Sequence, residues 1–293
     1  IFFTRSTDYG QTWSTPVMLS SASDGNDSME PDIAIWGNNV YVAWYEYPHA
    51  GGIPAVSNVW FINSSDGGNT WYVARQITNI TVEKYTEQAG SNSPELAVNG
   101  SCIYVAYCNS TLEYIDETSY DWYNEVFYMR SVDGGKTWEH ERNLSIADDC
   151  ADSDIKDIAC YKDHVYVIWR DHKDLAFGEV YFIKSDDNGE TWSKEKRLSV
   201  NDGYWSEPES ICANGSEVII VWSDDKDGAP YKSEIYYRVS KDYGNTWLPE
   251  VRLTYAVNGS AGSSVAELDG YWHIVWYDNR TGGDEIYYKR HPG

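Results

Sequence analysis

Residues Ser185-Asp186-Asp187-Asn188-Gly189-Glu190-Thr191-Trp192 form the stretch on which the reading of this chain turns. The same pattern, S-x-D-x-G-x-T-W, begins again at Ser6, Ser64, Ser131 and Ser240. An alternating run, Glu179-Val180-Tyr181-Phe182-Ile183-Lys184, precedes it, and a shorter one, Lys196-Arg197-Leu198-Ser199, follows. The pattern therefore reads as the turn of a β-hairpin. Its Asp can accept hydrogen bonds from the N–H groups of the turn, its Gly supplies a positive φ, and its Trp offers a large apolar face to cover the hairpin.

The Asp of each copy falls at Asp8, Asp66, Asp133, Asp187 and Asp242, with the paired Trp at Trp13, Trp71, Trp138, Trp192 and Trp247. Successive copies lie 58, 67, 54 and 55 residues apart. Between them each module holds a short strand, a tight turn, a second strand ending in an aromatic, a variable loop and a third strand. The second strands end at Trp44, Tyr107, Trp169, Trp222 and Trp276. No segment has the apolar spacing of an amphipathic helix. Four antiparallel strands in a repeat of this length make a propeller blade, so the fold class is all-β.

The repeated phrase resembles the Asp box of the sialidase-like (BNR-repeat) β-propellers, where it is structural. The resemblance covers nearly the whole chain and implies one β-propeller domain over residues 1–293. Counting strands gives five first-and-second pairs, five fourth strands and six third strands, and prefers five blades. In that arrangement Val17-Met18-Leu19 completes the last blade. The resemblance favours the alternative of six blades with incomplete terminal ones. The start at Ile1-Phe2-Phe3, without Met, suggests a domain excised from a larger surface protein.

Acidic residues outnumber basic ones by 46 to 22, a net charge of −24, which disfavours nucleic acid as a partner. No apolar run is long enough to span a membrane. Nine sequons, at Asn26, Asn63, Asn79, Asn99, Asn109, Asn143, Asn214, Asn258 and Asn279, point to a glycoprotein outside the cytoplasm, extracellular or at the cell surface. The 14 Trp and 25 Tyr against 6 Phe suit half-buried strands and also sugar-binding surfaces.

In such a scaffold the loops joining second to third strands, and those joining one blade to the next, share a face. Here they are long and dissimilar, and variable loops on a repeated frame are where function sits. Trp122, Tyr204, Trp205, Arg170, Arg280 and Glu207 are the candidate ligand-binding residues on that face. The blade-joining loops also carry Glu30, Glu95, Asp154, Asp157 and Glu209. Asp224, Asp225 and Asp227 crowd one loop and could hold calcium. The six His show no paired zinc spacing. Of five Cys, Cys108 and Cys150 are the disulfide candidates.

The resemblance makes sialidase chemistry the first activity to weigh. In those enzymes an arginine triad clamps the substrate carboxylate, as bidentate guanidinium recognition requires. Only Arg170 and Arg280 of the ten Arg fall in the variable loops. The sequence therefore favours a non-catalytic propeller binding a glycan or a surface protein through its loop-rich face. A sialidase-like glycoside hydrolase or polysaccharide lyase, and a structural repeat of a surface assembly, are the alternatives.

Overall fold

A computed structural model describes residues 1–21, 25–48, 56–80, 90–114, 120–145, 151–174, 177–227 and 232–292. The strands are β1 (Phe2–Phe3), β2 (Val17–Met18), β3 (Asp27–Trp36), β4 (Asn39–Tyr47), β5 (Asn58–Ser64), β6 (Arg75–Gln76) and β7 (Gly90–Asn99). They continue with β8 (Cys102–Tyr114), β9 (Tyr120–Ser131), β10 (Arg142–Asn143), β11 (Ser153–Tyr161), β12 (His164–Asp171), β13 (Glu179–Ser185) and β14 (Lys196–Arg197). The last are β15 (Ser206–Asn214), β16 (Glu217–Asp224), β17 (Glu234–Ser240), β18 (Val251–Arg252), β19 (Ser260–Leu268), β20 (Tyr271–Asp278) and β21 (Glu285–Pro292).

They form six antiparallel sheets: β1-β2, β3 to β6, β7 to β10, β11 to β14, β15 to β18, and β19 to β21. Four are complete four-stranded modules in chain order, as the repeat predicts. The strand that five blades leave without a place, β1, has its own two-stranded sheet with β2, where Phe2 pairs with Met18. Val17–Met18 is thus a fourth strand beside its own third strand. The sheets fall into two compact units, Ile1–Arg142 and Asn143–Gly293.

Within each unit the core lies between successive sheets. In the first, Tyr41, Ala43, Val59 and Phe61 meet Leu96, Ile103, Val105 and Tyr107 of the next sheet. In the second, Tyr166, Ile168 and Phe182 meet Ile211, Val218 and Ile220, and Ile219, Val221 and Ile235 meet Val265, Trp272 and Ile274. Both faces of β12 and β16 are covered, which is why they read as continuous apolar runs, whereas β20 alternates between buried and exposed residues.

All five boxes close with one pattern of hydrogen bonds. In the fourth, Ser185 Oγ donates to Asp187 Oδ1 at 2.7 Å, Thr191 N donates to Asp187 Oδ1 at 2.7 Å, and Thr191 Oγ1 to Oδ2 at 2.5 Å. Gly189 N donates to Ser185 Oγ at 2.8 Å. Two successive residues take positive φ, Asn188 at 58° and Gly189 at 80°.

Three of the five box Trp residues reach beyond their own hairpin. Each packs edge-on against an aromatic of the preceding sheet. Trp71 meets Phe3 at 4.9 Å between ring centroids, Trp138 meets Phe61 at 5.1 Å, and Trp247 meets Phe182 at 5.1 Å. The box is therefore a turn and a sheet-to-sheet staple at once.

Candidate functional site

The ends of the second strands carry a buried acid two residues beyond the terminal Trp. Residues i and i+2 of a strand share a face, so the indole N–H can reach that acid. Trp169 Nε1 donates to Asp171 at 2.9 Å, Trp222 to Asp224 at 3.1 Å, Trp276 to Asp278 at 3.1 Å and Trp44 to Glu46 at 3.2 Å. Sequence reasoning noted the Trp positions and took Asp224 as a calcium candidate, but missed Glu46, Asp171 and Asp278. The repeated W-x-D/E triplet was the available signal. Two of these acids hold a lysine: Lys173 Nζ lies 4.1 Å from the Tyr181 ring centroid and 3.0 Å from Asp171, and Lys226 Nζ 4.0 Å from Tyr236 and 3.0 Å from Asp224.

That arrangement decides the geometry of the three carboxylates expected to hold calcium. Asp224 accepts from Trp222, Ser206 and Lys226. Asp225 accepts from Ser233 Oγ, and Asp227 from Tyr236 and Arg252. The three carboxylates thus turn to three different sets of protein donors. No group of three or more metal-ligating side chains occurs among the described residues.

The first strands carry a bulge at corresponding points, between Met29 and Asp32 in β3, Ile155 and Asp157 in β11, and Pro208 and Ser210 in β15. Acids at these bulges tie the next first strand. Asp32 accepts from Leu96 N at 2.7 Å, Asp157 from Ile211 N at 2.8 Å, and Glu209 from Gly262 N at 2.7 Å and Ser263 N at 2.5 Å. Asp157 and Glu209 therefore join neighbouring sheets. Burial pushes the Glu209 carboxyl above its ordinary range, against the pull of those donors.

Three of the expected binding residues converge in the second unit. Arg170, at the end of β12, donates through Nη1 to Glu207 Oε2 at 2.6 Å and through Nη2 to Asp154. Its guanidinium lies 4.7 Å from the centroid of Trp205, whose Nε1 donates to the same Glu207 oxygen at 3.0 Å. Lys156, the bulge residue of β11, holds the other Glu207 oxygen at 2.6 Å. His172 meets the edge of Trp205 at 5.6 Å. Burial works against the Arg170 charge, but Glu207 and Asp154 outweigh it and hold its pKa above the ordinary value.

The surrounding backbone fixes this cluster. A Cβ on Gly178 would lie 2.5 Å from the Arg170 side chain, so only glycine lets the guanidinium stem pass. Ser206 N donates to Gly178 O at 2.9 Å, and Asp225 N to Trp205 O at 3.1 Å. Trp205 is half-buried, while Tyr204 beside it and Phe177 on the neighbouring loop are 45% and 47% exposed.

The remaining candidates lie apart. Arg280 donates through Nε to Asp278 at 2.8 Å and stacks 4.0 Å from the centroid of Tyr287. Near it Tyr277, Asn279 and Asp284 border a hollow of about 220 Å³. Glu30 accepts from Ser93 Oγ at 2.7 Å. Trp122 pairs with Leu112 across β8 and β9, and its side chain lies outside the described residues. Cys150 lies there too, and with it the Cys108–Cys150 pairing. Of the sequon residues, Asn109 is buried in β8, whereas Asn79, Asn143, Asn214 and Asn258 are exposed.

Solved structures share this fold at low sequence identity. A protein of unknown function from Dyadobacter fermentans matches with a TM-score of 0.61 at 14% identity, over 88% of this chain and 77% of that one. The NanB sialidase of Streptococcus pneumoniae, as its K499G mutant, matches at 0.60 and 11%, over 94% of this chain and 63% of its own. The intramolecular trans-sialidase of Ruminococcus gnavus matches at 0.59 and 12%, over 92% and 86%. These likenesses identify the sheets as those of a sialidase-like β-propeller. No curated protein sequence matches the chain. The BNR repeat-like domain family matches residues 1–274, and the chain, with its five boxes in register, belongs to that family.

Proposed function

We propose that this chain is a non-catalytic binding module, found outside the cytoplasm, that takes a neutral glycan on the Tyr204–Trp205 end of its second unit. The observation that carries the reading is the state of the two arginines in the variable loops. Arg170 is engaged by Asp154 and Glu207, and Arg280 by Asp278. An acidic sugar needs a guanidinium with free donors and a field that attracts it. Both guanidiniums are already paired, in a chain of net charge −24.

A neutral sugar needs an aromatic platform and fixed hydrogen-bonding groups, and pays no penalty for the surrounding carboxylates. Tyr204, Phe177 and the rigidly held Trp205 supply the platform, and Glu207 and Asp154 lie beside it. The buried acids at the strand ends do not serve hydrolysis in this reading. Glu179 has a carboxyl pushed up to about 7 by burial, but it is sealed beneath Ser199 and Ser206. The six sheets favour a six-bladed scaffold over a five-bladed one.

The test is a broad glycan array, with and without calcium, followed by a cleavage assay on every hit. Binding without turnover, lost in Trp205→Ala and Tyr204→Ala, is the expected result. Release of sialic acid or any other sugar would refute the non-catalytic reading.

A further inference from the structure

The repeat allows one place in the fold to be compared with its own copy. That place is the cleft between one sheet and the box of the next, seen once in each unit. Between the β11–β14 and β15–β18 sheets this cleft is plugged. His164 stacks on Tyr243 at 4.3 Å between ring centroids and meets Asp186 at 2.7 Å. Lys184 Nζ closes on Asp186 at 2.8 Å.

The corresponding cleft in the first unit lies between the β3–β6 and β7–β10 sheets. The strand register and the box fix the correspondence. Tyr41 pairs with Asn63 one residue before box Ser64, as Tyr166 pairs with Lys184 one residue before box Ser185. There the plug is missing residue by residue: Asn39 stands for His164, Asn63 for Lys184, Ser65 for Asp186 and Gly134 for Tyr243. One tether is kept, since Arg75 Nη1 donates to Lys136 O at 3.4 Å as Lys196 Nζ does to Asn245 O at 3.2 Å.

The result is a cavity of about 540 Å³. That is the size of a small-molecule site. Trp36 and Tyr72 line it and are 48% and 60% exposed. Its polar lining is amide and hydroxyl from Asn39, Asn63, Ser65 and Ser101, together with the box carboxylate of Asp133, already held by Ser131 and Thr137, and the cations of Arg75 and Lys136 at the side. Exposed rings beside short neutral hydrogen-bonding groups match a sugar, whose C–H faces stack on aromatics and whose hydroxyls both donate and accept.

From the emptied plug, the exposed rings and the amide lining, we infer that this cleft, in the first unit, is a second saccharide-binding site. It takes a neutral oligosaccharide segment. Asn63 is also the acceptor of a sequon, so a glycan attached there would occupy the same cleft. The site accordingly belongs to the chain without a glycan on Asn63.

The experiment uses the full chain made without N-glycosylation, titrated calorimetrically with cellotetraose, chitotetraose and mannotetraose. Binding of at least one is expected, weakened tenfold or more in Trp36→Ala and in Tyr72→Ala. The decisive variant restores the plug, Asn39→His with Gly134→Tyr. The corresponding position holds Tyr at φ 59° in two other boxes, Tyr9 and Tyr243, so the backbone accepts it. This variant should unfold at or above the denaturant midpoint of the parent and bind none of the three sugars through the cleft. Trp205→Ala should leave cleft binding unchanged, which separates this site from the one proposed above. Absence of binding to all three sugars, or binding unaffected by the plug, would overturn the inference.

Discussion

Gly134 and Gly135 stand side by side in the third box at nearly equal φ, 74° and 82°, yet their surroundings differ. A Cβ on Gly134 would meet nothing within 4 Å, whereas one on Gly135 would lie 2.8 Å from Phe61 Cε1. Phe61 is fully buried and packed edge-on against Trp138, so its ring has little freedom to retreat. Alanine at either position carries the left-handed backbone penalty, about 1–2 kcal/mol. Gly135→Ala adds the cost of overpacking, about 1–3 kcal/mol. Gly135→Ala should therefore be the less stable variant by about 1–3 kcal/mol. Urea unfolding of both, followed by tryptophan fluorescence at equal m-value, measures the difference directly. Equal midpoints would refute the claim that the second box glycine is required by the aromatic of the preceding sheet. Gly68 and Gly244, whose added Cβ would meet Phe3 at 2.6 Å and Phe182 at 2.8 Å, offer independent repeats of the same comparison.

The buried acids give a pH signature. The Glu179 carboxyl is raised from 4.5 to about 7, first by burial, with the Ser199 hydrogen bond opposing. Between those values the folded chain holds a proton that the unfolded chain releases, so the stability from Glu179 falls as pH rises from 4.5 to 7. The change is at most about 3 kcal/mol, and Glu179→Gln should flatten it in urea midpoints measured across that range. The boxes act with the opposite sign. Asp242 is lowered from 3.8 to about 2, chiefly by the Thr246 hydroxyl and then by Thr246 N–H, so its contribution is present above 3.8 and disappears as pH falls toward 2. Asp242→Asn should remove part of the acid-unfolding transition, and an unchanged acid midpoint would count against the box as its origin. Lys226→Met should destabilise by about 3 kcal/mol in the same urea assay, because it leaves the buried Asp224 without its cation.

The local parts of this structure were legible in the sequence because they close over a few residues. Each box is bonded among positions i, i+2, i+4 and i+6, so S-x-D-x-G-x-T-W specifies its own turn. The hairpin turns at Gly100 and Gly215, with φ of 64° and 60°, follow from Asn-Gly dipeptides in the same way. The W-x-D/E pairs were equally local and could have been read from their period of two. Arg170, Trp205 and Glu207 were chosen from sequence as loop residues of the right chemistry.

Tertiary structure alone decided their meeting. Arg170 and Glu207 lie 37 residues apart and touch because one sheet stacks on the next. The same stacking brought three box Trp rings onto the preceding sheet, tied Asp157 and Glu209 to backbone donors of the next sheet, and opened one cleft while its copy is filled. The sequence by itself determined the hairpins and the repeat, since their hydrogen bonds lie within one module. Which side chains become site, staple or plug depends on the facing module, and that partner exists only once the sheets have packed.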